Sequence, residues 1–277
     1  MKVSEYIPGT DITVQLRTDL NAGRDVKIPA GHFYISESII VEGYSGTLKG
    51  AGKDTTIIEA AQGFKGTEEP VFSPGEEVAD MFAFYWSTGD VTCENLTLLV
   101  TGNSPAEAHN NPFLGELTTI DNAILVAGIH EEAESGITVT FNNLKIKGED
   151  STDQMSRKGK NLVYPLIVTG LQGAAKPVST IIKNCEIENS GSDAIAYWAV
   201  FGGSGIIKDN EIKNCYSGIR TFSLTDPLTI LGEVTMKENI FTNLTRPDRA
   251  IRNLNTWSSY CLRNNTLNGV LMTDDCQ

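Results

Sequence analysis

A seven-residue pattern recurs six times in this chain, and its spacing leaves few folds open. The copies are Thr92–Leu98, Thr140–Ile146, Ile181–Ile187, Ile206–Ile212, Thr235–Phe241 and Cys261–Leu267. Each runs from a short apolar strand into a corner rich in asparagine. Their fifth residues, Leu96, Leu144, Cys185, Asn210, Asn239 and Asn265, are separated by 48, 41, 25, 29 and 26 positions. A period near 25 with insertions in the early copies is the signature of a solenoid. The copies are too short for helix pairs and rich in strand formers, so each is expected to be one coil of a parallel β-helix.

The asparagines have a physical task in such a coil. A strand that turns without a hairpin favours residues tolerant of left-handed backbone angles. Coils stack ~4.8 Å apart, so an amide at one corner can bond the amides above and below. Asn210, Asn239 and Asn265 are expected to form one such ladder, continued by Leu96, Leu144 and Cys185 as an apolar stack. Asn189, Asn214 and Asn243 suggest a second. Another strand set supports the register: Asn122–Leu125, Asp193–Ala196, Ser217–Arg220, Arg249–Arg252 and Asn268–Leu271 each read polar, small, apolar. The apolar third residue points inward and the next side chain outward. Tyr164–Ile167 and Asp80–Ala83 join this set with poorer agreement.

The opening segment supplies a cover for the first coil. Thr10 or Asp11 can cap a short helix carrying Ile12, Leu16 and Leu20 on one face, before strands begin at Val26. After that helix come Ile28-Pro-Ala-Gly-His-Phe-Tyr34 and Leu48-Lys-Gly-Ala-Gly-Lys-Asp-Thr-Thr-Ile-Ile58, then the asparagine-laddered coils. Over about residues 10–271 this arrangement resembles the right-handed parallel β-helix superfamily of pectate-lyase-like proteins. The resemblance implies one all-β domain, with residues 1–25 as a helical cap, 26–271 as coils and 272–277 as a tail. It speaks to fold more than to chemistry, because the shared motifs are corners and core. No lid is evident after the last coil, and an uncovered solenoid end offers a surface for self-association as a homo-oligomer.

Composition narrows the function classes. A net charge of −13 over 277 residues argues against nonspecific nucleic-acid binding, which needs a basic footprint. No apolar run has the length of a membrane span, and the first residues do not read as a signal peptide; members of the superfamily are often exported, so secretion is implied if a leader was removed. The five cysteines, 93, 185, 215, 261 and 276, show no metal-ligand or paired spacing. Cys93, Cys185 and Cys261 fall on template positions and are expected to be buried thiols. Glycosylation motifs at Asn95, Asn243 and Asn264 are discounted because these corners read as buried.

Length is added unevenly. From each heptapeptide to the inward residue of the next strand set, Leu98 to Ile124 and Ile146 to Leu166 span 26 and 20 positions. The later steps, Ile187 to Ile195, Ile212 to Ile219 and Phe241 to Ile251, span 8, 7 and 10. With residues 59–80 as a further excursion, the long loops gather on one corner of the early coils. There they either wall a cleft on the adjoining sheet, or pack down as a cover or mediate oligomerisation. On that sheet Arg220 and Arg252 fall on adjacent coils, and Trp198 and Phe222 two positions later could stack on a sugar ring. Five of the eight arginines lie between 220 and 263, Arg249 among them. A guanidinium fork suits a planar anion; the competing account is local pairing with Asp226 or Asp248. Lys183, Lys208, Lys237 and Arg263 share one template position, read as a solvated face beside Glu186 and Glu211 or as a track for a polyanion.

The sequence thus points to carbohydrate handling, and two classes stay open. The first is a polysaccharide lyase acting on an acidic, uronate-containing glycan. It needs a base for the proton beside the carboxylate, a cation to neutralise that carboxylate, and an acid for the leaving oxygen. Arg220, Arg252, Tyr197 and His130 are the candidates, with Trp198, Phe222, Arg249 and Asp193 as substrate contacts. Alternation around Ile195 can also send Tyr197 into the coil. A hydrolase is disfavoured because no second acid stacks with Asp193. The resemblance alone admits calcium as a cofactor; no metal ligands are identified, and the oxygen-rich Glu149–Asp153 run reads as a solvated loop. The second class is a non-catalytic glycan-binding or assembly module of a cell surface or phage fibre.

Overall fold

A computed structural model describes residues 5–68, 77–102, 104, 109–111, 115–117, 119–130, 133, 135–150, 156–170, 176–199, 203–223, 232–252 and 259–277. Among the described residues, seven coils visit the same three sheets in turn and an eighth reaches the first two. The first sheet stacks Val26–Ile28, Gly46–Gly50, Val91–Glu94, Ile137–Asn142, Val178–Lys183, Gly205–Lys208, Glu233–Lys237 and Ser259–Arg263 in parallel. The second stacks Gly31–Glu37, Thr56–Lys65, Thr97–Leu99, Lys145–Lys147, Glu186–Glu188, Glu211–Lys213, Ile240–Thr242 and Thr266–Leu267. The third stacks Ile39–Glu42, Asp80–Ser87, Ile120–Ile129, Leu162–Thr169, Asp193–Ala199, Ser217–Ser223 and Ile251–Arg252. This is the three-sheet parallel β-helix that the repeat spacing predicts, and parallel crossovers of this kind wind right-handed.

Inward side chains form continuous apolar files, because strict pairing puts the same template position on every coil. Phe33, Ile58, Leu98, Ile146, Ile187, Ile212 and Phe241 are register partners and fully buried. The third sheet stacks Ile39, Phe82, Ile124, Leu166, Ile195, Ile219 and Ile251 in register, all fully buried but the half-buried Ile251. Asp80–Ala83 and Tyr164–Ile167 therefore belong to this set. Its small second residue matters most at Gly218, where a Cβ would collide with the carbonyl oxygen of Ala250.

The first asparagine ladder is present. Asn210 Nδ2 donates to Asn239 Oδ1 at 2.9 Å, and Asn239 Nδ2 to Asn265 Oδ1 at 2.9 Å. All three residues are buried, and Asn210 Oδ1 accepts the Cys185 N–H at 2.9 Å where the apolar stack takes over. The left-handed backbone falls one residue earlier than the ladder: Asn95, Asn143, Asn184, Asp209, Glu238 and Asn264 have φ of 52–59°. Turning and laddering are thus divided between the fourth and fifth positions of the repeat. The second ladder is partial. Asn243 Nδ2 reaches Asn214 Oδ1 at 3.3 Å, but Asn214 donates to Glu188 and Asn189 to the Gly148 carbonyl.

Helix Thr13–Asn21 closes the first coil with Ile12, Leu16 and Leu20 buried. Asp11 Oδ1 accepts the Thr13 N–H at 2.8 Å and also its hydroxyl. The other end corrects three expectations. Asn268–Leu271 does not join the third sheet; Asn268 and Gly269 take φ of 51° and 77°, a hairpin turn. Val270–Leu271 then runs antiparallel to Thr266–Leu267. Asp275–Cys276 pairs antiparallel with Cys261–Leu262, so two of the three sheets end in short antiparallel return strands. Cys261 is not a buried thiol, because it forms a disulfide with Cys276; the antiparallel return brings the two together. Cys93, Cys185 and Cys215 are buried and free. The glycosylation motifs are also not buried: Asn243 and Asn264 are exposed and Asn95 half-buried, since the left-handed turn points these side chains away from the core.

Candidate functional site at the outer face of the third sheet

The three excursions leave between the second and third sheets, where the sequence places them; residues 69–76, 105–108, 112–114 and 151–155 within them lie outside the described set. Beside them the outer face of the third sheet is not an open floor. Ala83, Tyr85, Leu125, Ala127, Ile167 and Ala196 form a second buried apolar cluster, with Trp198 and Tyr164 packed at its margin. These side chains are buried, so over these coils the outer face is no exposed floor for a ligand. The face turns polar at Asp193, Arg220 and Arg252.

Arg220 and Arg252 are register partners that emerge side by side. They converge on a carboxylate of the chain itself. Asp193, at the head of its strand and 1% exposed, receives Arg252 Nη2 at 2.6 and 2.7 Å on its two oxygens. Arg220 Nη1 stands 3.8 Å from Asp193 Oδ2, and Ser217 Oγ donates to Oδ1 at 2.6 Å. The acid that answers the arginines is therefore Asp193, two coils from Arg252. Asp248 pairs with Arg246 at 2.9 and 3.0 Å, and Asp226 lies outside the described residues. A buried carboxylate needs such partners, since desolvation of an unpaired charge costs several kcal/mol. Arg252 Nε is buried and has no acceptor among the described residues.

Beyond Asp193 lies a group that sequence reasoning missed. Lys158, at a left-handed φ of 51°, sets its Nζ 3.0 Å from the centroid of the Tyr216 ring. Arg157 stands over Tyr164 at 5.7 Å. A hydrogen bond from Arg246, reinforced by the Lys158 charge, holds the Tyr216 phenol below its ordinary range. Desolvation holds the Lys158 ammonium below its own range; Arg157 acts the same way, while Tyr216 and Asp193 oppose it. Tyr216 stands immediately before Ser217 on the polar edge of the repeat, the one signal that could have picked it out. Lys158 comes from an excursion whose placement no template position predicts.

The other candidates disperse. Tyr197 is fully buried inside the coil, its hydroxyl donating to the Val178 and Ser204 carbonyls at 2.7 and 3.1 Å, and desolvation raises its pKa. The alternation that sends Ala196 outward sends Tyr197 inward, away from the arginines. His130 follows the strand Ile120–Ile129, four strands from Ile251–Arg252 and five positions past Leu125 in the register of Arg252, so more than about 19 Å divides it from Arg252. Trp198 is half-buried opposite Phe222 in the register; the Phe222 side chain lies outside the described residues. Arg249 is half-buried in the short turn Pro247–Arg249.

Calcium does not suit this locus. Both oxygens of Asp193 are taken by Arg252, fixed cations surround it, and no three acidic or imidazole ligands gather anywhere among the described residues. No described helix is long and apolar enough to cross a membrane.

No family model matches the sequence, and no curated protein matches it. Solved structures similar to the chain include a pectin methylesterase from carrot, at 13% identity and a TM-score of 0.43, covering 97% of this chain and 85% of that one. Another is the enzyme from Yersinia enterocolitica, at 15% identity and 0.40, covering 95% and 92%. A third is that from Erwinia chrysanthemi, at 10% and 0.39, covering 98% and 92%. Scores this low carry neither activity nor residues across. What identifies the chain as a three-sheet parallel β-helix is its own strand register.

Proposed function

We propose that the protein is a polysaccharide lyase for an acidic, uronate-containing glycan, engaged where Lys158, Tyr216 and Arg246 meet the Asp193–Arg252 pair. The observation that carries this reading is the clustering of cations. Arg157, Lys158, Arg220, Arg246 and Arg252 gather around one patch of a chain whose net charge is −13. A uronate carboxylate docked there meets fixed positive charge, which acidifies the proton on the adjacent carbon. Tyr216 is half-exposed in the midst of those cations, and its phenolate is the base nearest to hand. It takes that proton as the bond to the glycosidic oxygen breaks, the electron pair forming the new double bond, and the resulting phenol is the closest donor for the leaving oxygen. Asp193 holds Arg252 and Arg220 in position from beneath.

A second reading, a non-catalytic glycan-binding or assembly module, is favoured by one observation: Arg252 Nη2 is already engaged by both oxygens of Asp193. The experiment that decides is incubation with pectate, alginate and a glycosaminoglycan, followed by the ultraviolet absorbance of the unsaturated product. The expected result is a rise in absorbance, lost in Tyr216→Phe with the fold retained. Because Tyr216 titrates below the ordinary phenol range, the rate should climb with pH and level off earlier than an unassisted tyrosine would allow. New reducing ends without absorbance would mean hydrolysis, and glycan binding with neither signal would leave the binding module.

A further inference from the structure

The first sheet carries a separate charged feature on its outer face. Lys183, Lys208, Lys237 and Arg263 are successive register partners on four adjacent coils. Their inward neighbours Ile182, Ile207 and Met236 are fully buried, so alternation turns the four cations outward in a straight file along the solenoid axis. Neighbours in that file sit about 4.8 Å apart, a spacing at which like charges repel unless something anionic answers them.

The chain supplies little answer. Glu186 and Glu211, the acids nearest in the repeat, lie on the second sheet and are engaged there. Glu186 takes Lys145 at 3.2 Å and Lys213 at 3.4 Å, and Glu211 takes Lys213 at 3.2 Å. Lys208 alone of the file has an acid, its sequence neighbour Asp209 at 3.3 Å. Lys183, Lys237 and Arg263 form no ion pair among the described residues, although the Lys183 charge lies near enough to Glu94 to act on it. At the early end the file stops at Asn142, beyond which Glu94 is held by Lys49 at 2.7 Å. Exposed Glu238 sits beside Lys237 in the sequence without pairing to it. Two positions before each cation, a parallel file of Ile181, Ile206, Thr235 and Cys261 lies alongside. Ile206 is 42% exposed, an apolar strip next to a row of charge.

We infer that this face is a docking track for a linear anionic polysaccharide lying along the helix axis, one sugar to a coil. Its carboxylates or sulfates meet Lys183, Lys208, Lys237 and Arg263, and its ring C–H faces rest on the Ile181–Ile206 strip. The partner is chosen by three features: charge opposite to the file, a charge repeat that matches the coil rise, and an apolar face beside each charge. The track is on a different sheet from the proposed lyase site and stands whether or not the protein is an enzyme.

The test is calorimetric titration of wild type and Lys183→Gln/Lys208→Gln/Lys237→Gln with galacturonate oligomers of increasing length, at low and high salt. Neutral oligosaccharide and a single-stranded RNA serve as controls. In wild type the affinity should grow with each added residue until the file is covered, and fall steeply with salt. The triple variant should lose at least tenfold while any eliminase activity stays as in wild type. Circular dichroism checks its fold, and should it fail to fold, Lys208→Gln and Arg263→Gln, each at an exposed or half-exposed site, replace it and should each lose severalfold. Unchanged affinity in the variants overturns the track. So does equal binding of RNA and oligogalacturonate, which would reduce the file to unspecific charge, and so does affinity that ignores oligomer length. Loss of eliminase activity in Tyr216→Phe with the length dependence intact separates the two sites.

Discussion

Replacing Asn239 by alanine tests the ladder where it is most enclosed. Its Oδ1 accepts from the Asn210 side chain at 2.9 Å and the Asn210 backbone N–H at 3.3 Å; its Nδ2 donates to Asn265 Oδ1 and to the Ile207 carbonyl, each at 2.9 Å. Alanine leaves the Asn210 N–H with no acceptor in a site that water does not reach. An orphaned buried donor costs about 1–3 kcal/mol. The Asn210 side chain keeps its bond to the Ile182 carbonyl at 3.1 Å, and Asn265 Oδ1 keeps the Asn239 N–H at 3.1 Å, which limits the damage. Adding about 1 kcal/mol for the abandoned Ile207 carbonyl gives a loss of about 3 kcal/mol. Asn214→Gly, at a half-buried left-handed corner, is the control and should stay within about 0.5 kcal/mol. Urea unfolding at matched slopes measures both, and amide exchange at Asn210 reports the orphan directly. Equal effects at 239 and 214, or unaltered exchange at Asn210, would refute the reasoning.

Two further outcomes follow from buried groups. Arg252→Ala strips Asp193 of its bidentate partner and should cost about 3 kcal/mol, since a buried charge left alone is heavily penalised; adding Asp193→Asn should recover most of that in thermal melts, and a loss confined to glycan affinity would contradict the pairing. Burial pushes the Cys185 thiol from 9.0 up to about 12 and raises Cys93 and Cys215 too. The unfolded chain therefore ionises first, stability is complete below pH 9, and it should fall between pH 9 and 12; a flat urea midpoint across that window would contradict their burial.

Much of the fold was legible because a solenoid repeats its solution. The polar–small–apolar set placed Ile124, Ile195, Ile219 and Ile251 in one file, and the heptapeptide placed the ladder. What failed at the C-terminus failed for a local reason. Asn268-Gly269 matches the polar–small opening of the repeat, yet the pair is also a strong hairpin signal, and it is that turn which carries the chain back towards Cys261. The candidate site was half legible. Adjacency of Arg220 and Arg252 follows from the period, but their partner Asp193 lies two coils below Arg252, and outward direction alone does not say which acid a long side chain will reach. Lys158 comes from an excursion and obeys no period. Tyr197 was recoverable from alternation, which sends it inward.

The link between Cys261 and Cys276 also decides how the end of the molecule bears load. A pull on Gln277 does not run through the return strands in order. It passes at Cys276 straight across to Cys261, bypassing residues 262–275, and arrives in the middle of Ser259–Arg263. That strand is held edge-on by its register with Glu233–Lys237, so the force meets a row of hydrogen bonds together, not one at a time. Tension that would otherwise unravel residues 262–275 first is carried across the disulfide into the last parallel strand of the first sheet.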